Sequence, residues 1–524
     1  MSLVHGKKKT EETRDNADSM KPKRHDPTAS NSLDITRRSL LELAGLAITA
    51  AAFPSSAASA LPPAQQAKAS QGAGSVMNAL STYMSEAAKH PLPDEVTEKT
   101  KHHILDTLAA MISGSNLLPG QRALQFARAY GGKELSTVVA SNILCGPIEA
   151  ALANGVLAHA DETDDSHAPS QSHPGCAVIP AALAAGEQFG ISGTHFLRAV
   201  ALGYDIGPRV TVTLGGQQFE AESHWSTHSI SPLFGAAAAA SCAASLNAQQ
   251  MRWMLGYTAH QSSGLGAWNR DTEHIQKAFH FGGMTARSGV TSALLVQSGW
   301  TGVDDIFSGK DNFFQAYNPH ADPSGLIDKL GERYEVARTN IKKWPVGSPI
   351  QAALDALEIL RKQRAFDAGQ VQQMTVRLAT DEAAIVNNRD IPDICVQHML
   401  AVALLDKTVT FASAHDSARM KDAATLRERA KIKLLPDDDL ERLMPLRVAV
   451  LDLALTDGTH IVRRVDNVRG TPENPMTREE ILAKARDLIT PVLGAPRCAN
   501  LIGKIFDLES VTDIRALRPL LQLS

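Results

Sequence analysis

Residues 147–173 read PIEAALANGVLAHADETDDSHAPSQSH. The first half is a helix by its own chemistry. Pro147 suits a first turn, where its missing N–H costs nothing. Alanine and leucine follow, and both lose little freedom in a helix. Ile148, Leu152 and His159 lie four, seven and eleven residues apart, so they share one side of a helix running to about His159. His159 therefore points the way the core residues point. The second half then drops the helical pattern. With His159 it holds Asp161, Glu162, Asp164, Asp165, Ser166, His167 and His173, so four carboxylates and three imidazoles fall within fifteen residues. Crowded carboxylates repel, which raises some of their pKa values, and histidines beside them gain proton affinity. That arrangement poises groups for proton transfer near neutral pH. A solvated loop seldom uses three histidines. A metal site is the sharper rival, but no H-E-x-x-H or similarly spaced pair supports it. The expectation is an acid–base segment with no metal and no cofactor.

Outward from this segment the chain stays helical. Ile104, Leu105, Leu108, Met111 and Ile112 recur at the helical period, and Gly114 sits where a C-cap belongs. Phe234 to Leu246 carries Ala236 to Ala240, small residues that let helices approach closely, so this segment should be central. Met284 to Ser298 is another apolar helix, closed by Gly299. The character changes near residue 335. Glu335 to Ile341 and Thr375 to Thr380 read as strands. Val448 to Val465 reads as a hairpin about Asp457-Gly458. His398 to Phe411 and Asp416 to Lys431 read as helices. Thr477 and Glu480 then form a capping box after Pro475. The predicted class is mainly α, a large all-helical domain with an inserted smaller α+β lid domain. The helical domain covers 76–335, the lid 336–474, and a helical tail over 475–524 completes the helical domain. Strands and helices do not alternate, so a doubly wound sheet is not expected.

Bulk properties narrow the class. The chain has 524 residues, 44% of them hydrophobic, enough for a large core. A formal net charge of −4 gives no reason to expect a nucleic-acid partner. Five cysteines, Cys145, Cys176, Cys242, Cys395 and Cys498, lie far apart with no C-x-x-C, so they read as scattered core residues. Residues 1–75 do not read as fold. Arg37-Arg38, an apolar run from Leu43 to Phe53 and Ala58-Ser59-Ala60 follow in the order of a twin-arginine export signal and its cleavage site, with a linker after them. That run is shorter than the ~20 residues a bilayer needs. The expected mature protein is periplasmic or exported by the twin-arginine machinery, without stable membrane association, and cytoplasmic where the signal is not used.

Cationic residues from later segments could complete a pocket. Lys277 and His280 are three apart, on one face if helical, before Gly282-Gly283. His224 and His228 precede the alanine-rich helix. Together they suit a carboxylate substrate.

At these residues the sequence resembles the 2-methylcitrate dehydratase family (MmgE/PrpD), which also holds cis-aconitate decarboxylases and iminodisuccinate epimerases. The pieces are Asn154-Gly155-x-x-x-His159 with Asp164-Asp165, His173-Pro174-Gly175, the Phe234-Gly235-Ala run, Lys277-x-x-His280-x-Gly282, Lys342-x-Trp344-Pro345 and Gly470-x-Pro472-Glu473-Asn474-Pro475. They cover about residues 80 to 510. The resemblance implies a helical domain with a smaller α+β lid, as a homodimer. It places the active-site acid at Glu162, where an aspartate is usual, and Ser166 where a threonine is usual. His173, Lys277 and either His224 or His228 match catalytic or substrate-binding positions, and Lys342 joins the substrate-binding set. A histidine expected soon after Pro345 is missing, with Gly347 and Gln351 in that neighbourhood.

The family's reactions share a carbanion beside a carboxylate. The expected activity is a cofactor-independent lyase on a small di- or tricarboxylate, foremost dehydration of a 2-methylcitrate-like hydroxy acid. Lys277 and His280 would anchor carboxylates. His173 with His159 or His224 would move protons, and Glu162, Asp164 and Asp165 would orient the imidazoles. The rivals are an epimerase, isomerase or decarboxylase of a related dicarboxylate, and an exported polycarboxylate-binding protein without turnover.

Overall fold

The computed structural model describes residues 73–523. The export signal expected from Arg37-Arg38 onward, and most of the linker after it, lie outside those residues. The described chain is mainly helical, 61% helix and 9% strand. None of its helices is long and apolar enough to cross a membrane.

The longer elements run α1 Ser75–Glu86, α2 Asp94–Gly114, α3 Leu118–Tyr130, a small ladder of β1 Ser136–Thr137 with β2 Leu144–Cys145, then α4 Pro147–Ala158, α5 Gly175–Phe189, α6 Gly193–Leu214, α7 Thr227–Ala243, α8 Ala248–Gln261 and α9 Met284–Gln297. The alanine-rich α7 is the hub, packed against α5, α6 and α9. Its small residues make that approach physical. A Cβ on Gly203 of α6 would sit 2.7 Å from the Gly235 carbonyl oxygen of α7, and the reverse holds at the same distance. Any side chain at either position would push the helices apart.

The second part gathers its own hydrophobic cluster between Trp344 and Val468. Its elements are α10 Ser348–Gln363, β3 Val371–Ala379, α11 Val396–Asp406, β4 Ile432–Asp437, β5 Ala449–Leu455 and β6 His460–Val465. The sheet order is β4-β3-β5-β6, with β3 parallel to β4 and the other pairs antiparallel. β5 alternates buried and half-buried residues, as a strand packed on one face must. The hairpin after it turns on Gly458, whose φ of 84° suits glycine. Helices α12 Arg478–Leu493 and α13 Ala495–Phe506 then return to pack on α2 in the helical core. Thr477 and Glu480 cap α12 reciprocally.

Three local expectations are corrected. Glu335 to Ile341 is not a strand but a 3-10 turn over Glu335–Arg338 followed by one isolated bridge, Ser166 to Asn340. The cause is polar: the buried Glu335 carboxylate takes Arg333 at 2.7 Å, Arg338 at 2.9 Å and His167 at 3.2 Å, which curls the chain around it. Asp416 to Lys431 is not one helix, because Asp416 caps a 3-10 turn and Asp422 caps a new helix, Ala423–Arg429. Lys277 and His280 do not share a regular helical face. A short helix, Ile275–Ala278, passes into a π turn, Phe279–Gly283.

Candidate active site

The site begins where α4 crosses the π turn. A Cβ on Gly155 would collide with the carbonyl oxygen of Gly282, and one on Gly282 with that of Gly155. Two glycines thus set a backbone contact that brings the end of α4 against Phe281. His159 ends α4 as its C-cap, fully buried, and its ring stacks on Phe281 at 4.4 Å and 17°. His228, on the first turn of α7, also stacks on Phe281, at 4.4 Å and 8°.

Asp164 organises the imidazoles. Its Oδ2 accepts from His159 Nδ1 at 2.9 Å and its Oδ1 from His173 Nδ1 at 3.2 Å. A carboxylate can only accept, so both rings carry their proton on Nδ1 and keep a lone pair on Nε2. His159 Nε2 is buried with no partner among the described residues. Glu162 contacts Lys277 Nζ, with Lys342 Nζ at 3.8 Å and His274 Nδ1 at 4.0 Å. Lys342 also donates to the Glu162 carbonyl at 2.8 Å and lies 3.6 Å from Asp164. It is a buried tether that holds both acids in place.

The electrostatics reverse the expectation from crowding. Burial would raise Glu162, but Lys277 and Lys342 hold its carboxyl well below the usual range. Burial would likewise raise Asp164, and His159, His173 and Lys342 hold it well below. His173, His228 and His274 move down instead of up. Burial pushes His173 to about 4 despite Asp164, and His274 to about 3. Burial also drives His228 well below its ordinary value, helped by neighbouring cations. The acids are spaced by cations rather than by one another, so repulsion never dominates.

A cavity of about 700 Å³ opens here. Glu162, His173, His228, His274, Lys277 and Phe281 line one wall, and His224 its rim. His224 is exposed with φ 62°, whereas His228 is packed into the wall, so His228 is the better-placed histidine. His159, Asp164 and Lys342 stand behind that wall and position it. Three expected residues do not belong. Asp165 is fully buried elsewhere, accepting from His103 at 2.7 Å, Tyr204 at 2.5 Å and the Gly175 N–H at 3.0 Å, and so it anchors the start of α5. Ser166 is taken by its backbone bridge to Asn340 and lines a separate cleft of about 170 Å³. His280 lies among Gly264 and Ser229 outside the cavity, because the π turn directs Phe281 into it instead.

Several site residues escaped the sequence reading. His274 stands three residues before Lys277, a spacing that could have revealed it. Trp268, with Lys277 Nζ 5.1 Å from its ring, gave no signal. Glu220 lines the cavity, and burial pushes its carboxyl up to about 7, although Thr227 donates to it at 2.9 Å. His415 reaches Asp161 at 3.0 Å and Asp393 at 3.9 Å from far along the chain. For a metal, one donor atom each of His159, Glu162 and His274 lies within 4.8 Å of the others, as does a second set from His159, Asp164 and Cys176. Lys277 and Lys342 already neutralise Glu162 in the first set. The cysteines are all free and buried.

Two family profiles match this chain. The MmgE/PrpD N-terminal domain covers residues 78–325 and the MmgE/PrpD C-terminal domain residues 344–507. The chain belongs to the MmgE/PrpD family. As an MmgE/PrpD protein it carries Glu162, His173, His228 and Lys277 within the N-terminal match, whereas Arg389 and His415 lie in the C-terminal match. It is similar to a cis-aconitate decarboxylase-like protein of Aspergillus oryzae, 24% identical over 86% of this chain and 97% of that one. It is also similar to the cis-aconitate decarboxylase of Aspergillus terreus, 24% identical over 84% and 94%. The cis-aconitate decarboxylase of Mus musculus is 26% identical over 82% and 90%. These MmgE/PrpD relatives support a lyase-type activity on a carboxylate.

Proposed function

We propose that this protein is a lyase that forms a carbanion beside a carboxylate on a small di- or tricarboxylate. The observation that carries the reading is the pair of Nδ1-bonded imidazoles on Asp164, with His173 facing a cavity that also holds Lys277. A neutral His173, pushed to about 4, is a base at neutral pH. Lys277 spreads the negative charge of the carbanion and its carboxylate. Glu220, pushed up to about 7, is protonated in about half of the molecules at neutral pH and serves as the acid.

Two lyase reactions use this set. In dehydration of a 2-methylcitrate-like hydroxy acid, His173 Nε2 takes the proton next to a carboxylate. The electron pair forms the C=C bond, and hydroxide leaves with the Glu220 proton as water. In decarboxylation of an aconitate-like acid, the C–C bond breaks, CO₂ leaves, and the electron pair left on carbon takes the Glu220 proton. The names of the relatives favour the second reaction, while a neutral base aimed at the cavity suits the first. We also propose, from the family resemblance and from the Arg37-Arg38 signal, a homodimer exported by the twin-arginine route, which sizing of the purified protein and cell fractionation test.

The deciding experiment is a proton NMR time course with cis-aconitate, citrate and 2-methylcitrate. New alkene signals from the hydroxy acids mark dehydration. A new CH₂= pair from cis-aconitate with release of CO₂ marks decarboxylation. Calorimetric binding with no spectral change for any of the three sinks the lyase reading and favours a binding protein.

A further inference from the structure

The charged groups around the cavity do not balance. Its acids are Glu162, Glu220 and Asp271, and its cations Lys277, Arg270, Arg389 and Arg447. Glu162 is held by Lys277. Asp271 is occupied by the backbone N–H groups of Glu273 at 3.0 Å and Lys277 at 2.9 Å. Glu220 takes the Thr227 hydroxyl at 2.9 Å. Arg447 is paired with Glu382 outside the cavity. Arg389 and Arg270 remain, and among the described residues neither has a carboxylate within ion-pair distance. Arg270 is exposed, as an unpaired arginine usually is. Arg389 is half-buried, and that is the unusual case.

Arg389 lines the same cavity as Glu162, His173 and Lys277, with Ile385, Val386, Ile391 and Ile394 of its own segment. The backbone around it is fixed. Asn388 donates its N–H to Gln397 at 2.9 Å, and the Gly347 N–H donates to the Asp393 carbonyl at 3.0 Å. The second bond ties this loop to the start of α10, where Gly347 makes no side-chain cap. That helix end adds positive potential on the same side. A partly shielded guanidinium with no carboxylate partner is well suited to bind one, because its fork matches a carboxylate with two parallel bonds.

We propose that Arg389 is the substrate-selecting residue. It takes the third, middle carboxylate of the substrate, so the site selects acids with three carboxylates over those with two. The proposal rests on the lyase reading for the class of substrate, but the binding step is independent of turnover.

The test uses two acids with the same five-carbon chain that the proposed chemistry leaves intact. Tricarballylate has three carboxylates, and glutarate lacks the middle one. Titration calorimetry on the wild type should show tricarballylate binding more tightly than glutarate. Arg389→Ala should weaken tricarballylate about ten- to a hundredfold, to near the glutarate level, and leave glutarate within a few-fold. Arg389→Lys should fall between, since it keeps the charge and loses the fork. Unchanged thermal melts show that the variants fold. A wild type with no preference, or an Arg389→Ala loss equal for both acids, overturns the proposal. Turnover in the NMR assay with an unchanged KM in Arg389→Ala sinks this proposal and leaves the lyase reading. No turnover with an Arg389-dependent preference does the reverse.

Discussion

His159 and His173 bond opposite oxygens of one carboxylate, Asp164, at 2.9 and 3.2 Å, with their rings 5.0 Å apart. One buried acid thus sets the tautomer of two imidazoles and aims both Nε2 atoms away from itself. The chemistry follows from that sharing, since each ring is a base only while its other nitrogen is held.

Asp164→Asn is therefore expected to act on turnover more than on binding. The amide offers one acceptor and one donor group, so one imidazole must lose its hydrogen bond or change tautomer. Turnover should fall on the order of 10²- to 10⁴-fold, while tricarballylate affinity stays within a few-fold. Equal losses in affinity and turnover would show that Asp164 holds substrate instead.

Lys277→Met leaves Glu162 buried with Lys342 as its remaining lysine partner. A buried charge that loses its partner costs about 3–5 kcal/mol. Urea denaturation should show a loss of that order, partly recovered in Glu162→Gln/Lys277→Met, while kcat/KM recovers in neither. Full activity in the double variant would remove Lys277 from the chemistry.

Asp165→Asn probes the residue that the structure moves out of the site. His103, Tyr204 and the Gly175 N–H all converge on it. The expected loss is about 1–3 kcal/mol of stability with normal specific activity in the folded protein. A large drop in kcat with unchanged stability would return Asp165 to the active site.

The pH dependence has two limbs of opposite sign. Burial disfavours a charged His415, yet Asp161 and Asp393 raise it to about 9. Its folded value lies above the ordinary 6.5, so its contribution is full below about 6.5 and is lost as pH rises through about 9. His173 and His274 are pushed the other way, to about 4 and about 3, so stability is full above about 6.5 and is lost as pH falls toward those values. Denaturation curves across both windows should show the two declines, and His415→Gln should flatten only the alkaline one. An alkaline decline unchanged in His415→Gln would refute the link between Asp161 and Asp393.

Local pattern carried further in the helical half than in the sheet. Helical spacing and end signals were enough for the helix starting at Pro147, for α9 before Gly299 and for the box at Thr477, because those signals act within one turn. Alternation and Asp457-Gly458 were enough for the β5–β6 hairpin. They failed at Glu335, where a buried carboxylate bonded by three side chains outweighed strand propensity. The segment from His159 to His173 was legible as a cluster of acids and imidazoles because its residues are contiguous. Glu220, Arg389 and His415 were not, because each is ordinary in its own stretch.

The sequence by itself determined a mainly helical chain, the acid- and histidine-rich segment after α4 and the family that these residues resemble. Only the tertiary structure decided which members of that segment meet the cavity. Asp164 and Asp165 are neighbours in sequence, yet one holds His159 and His173 and the other anchors α5 through His103 and Tyr204. Consecutive residues in irregular backbone point in different directions, and their partners come from helices remote in the chain. The sign of each pKa shift was decided in the same way. At Glu162 and Asp164 the neighbouring lysines and imidazoles outweigh burial, and at His173 burial outweighs the carboxylate beside it, because charge energies depend on distance through space and on lost water, neither of which is written locally in the chain.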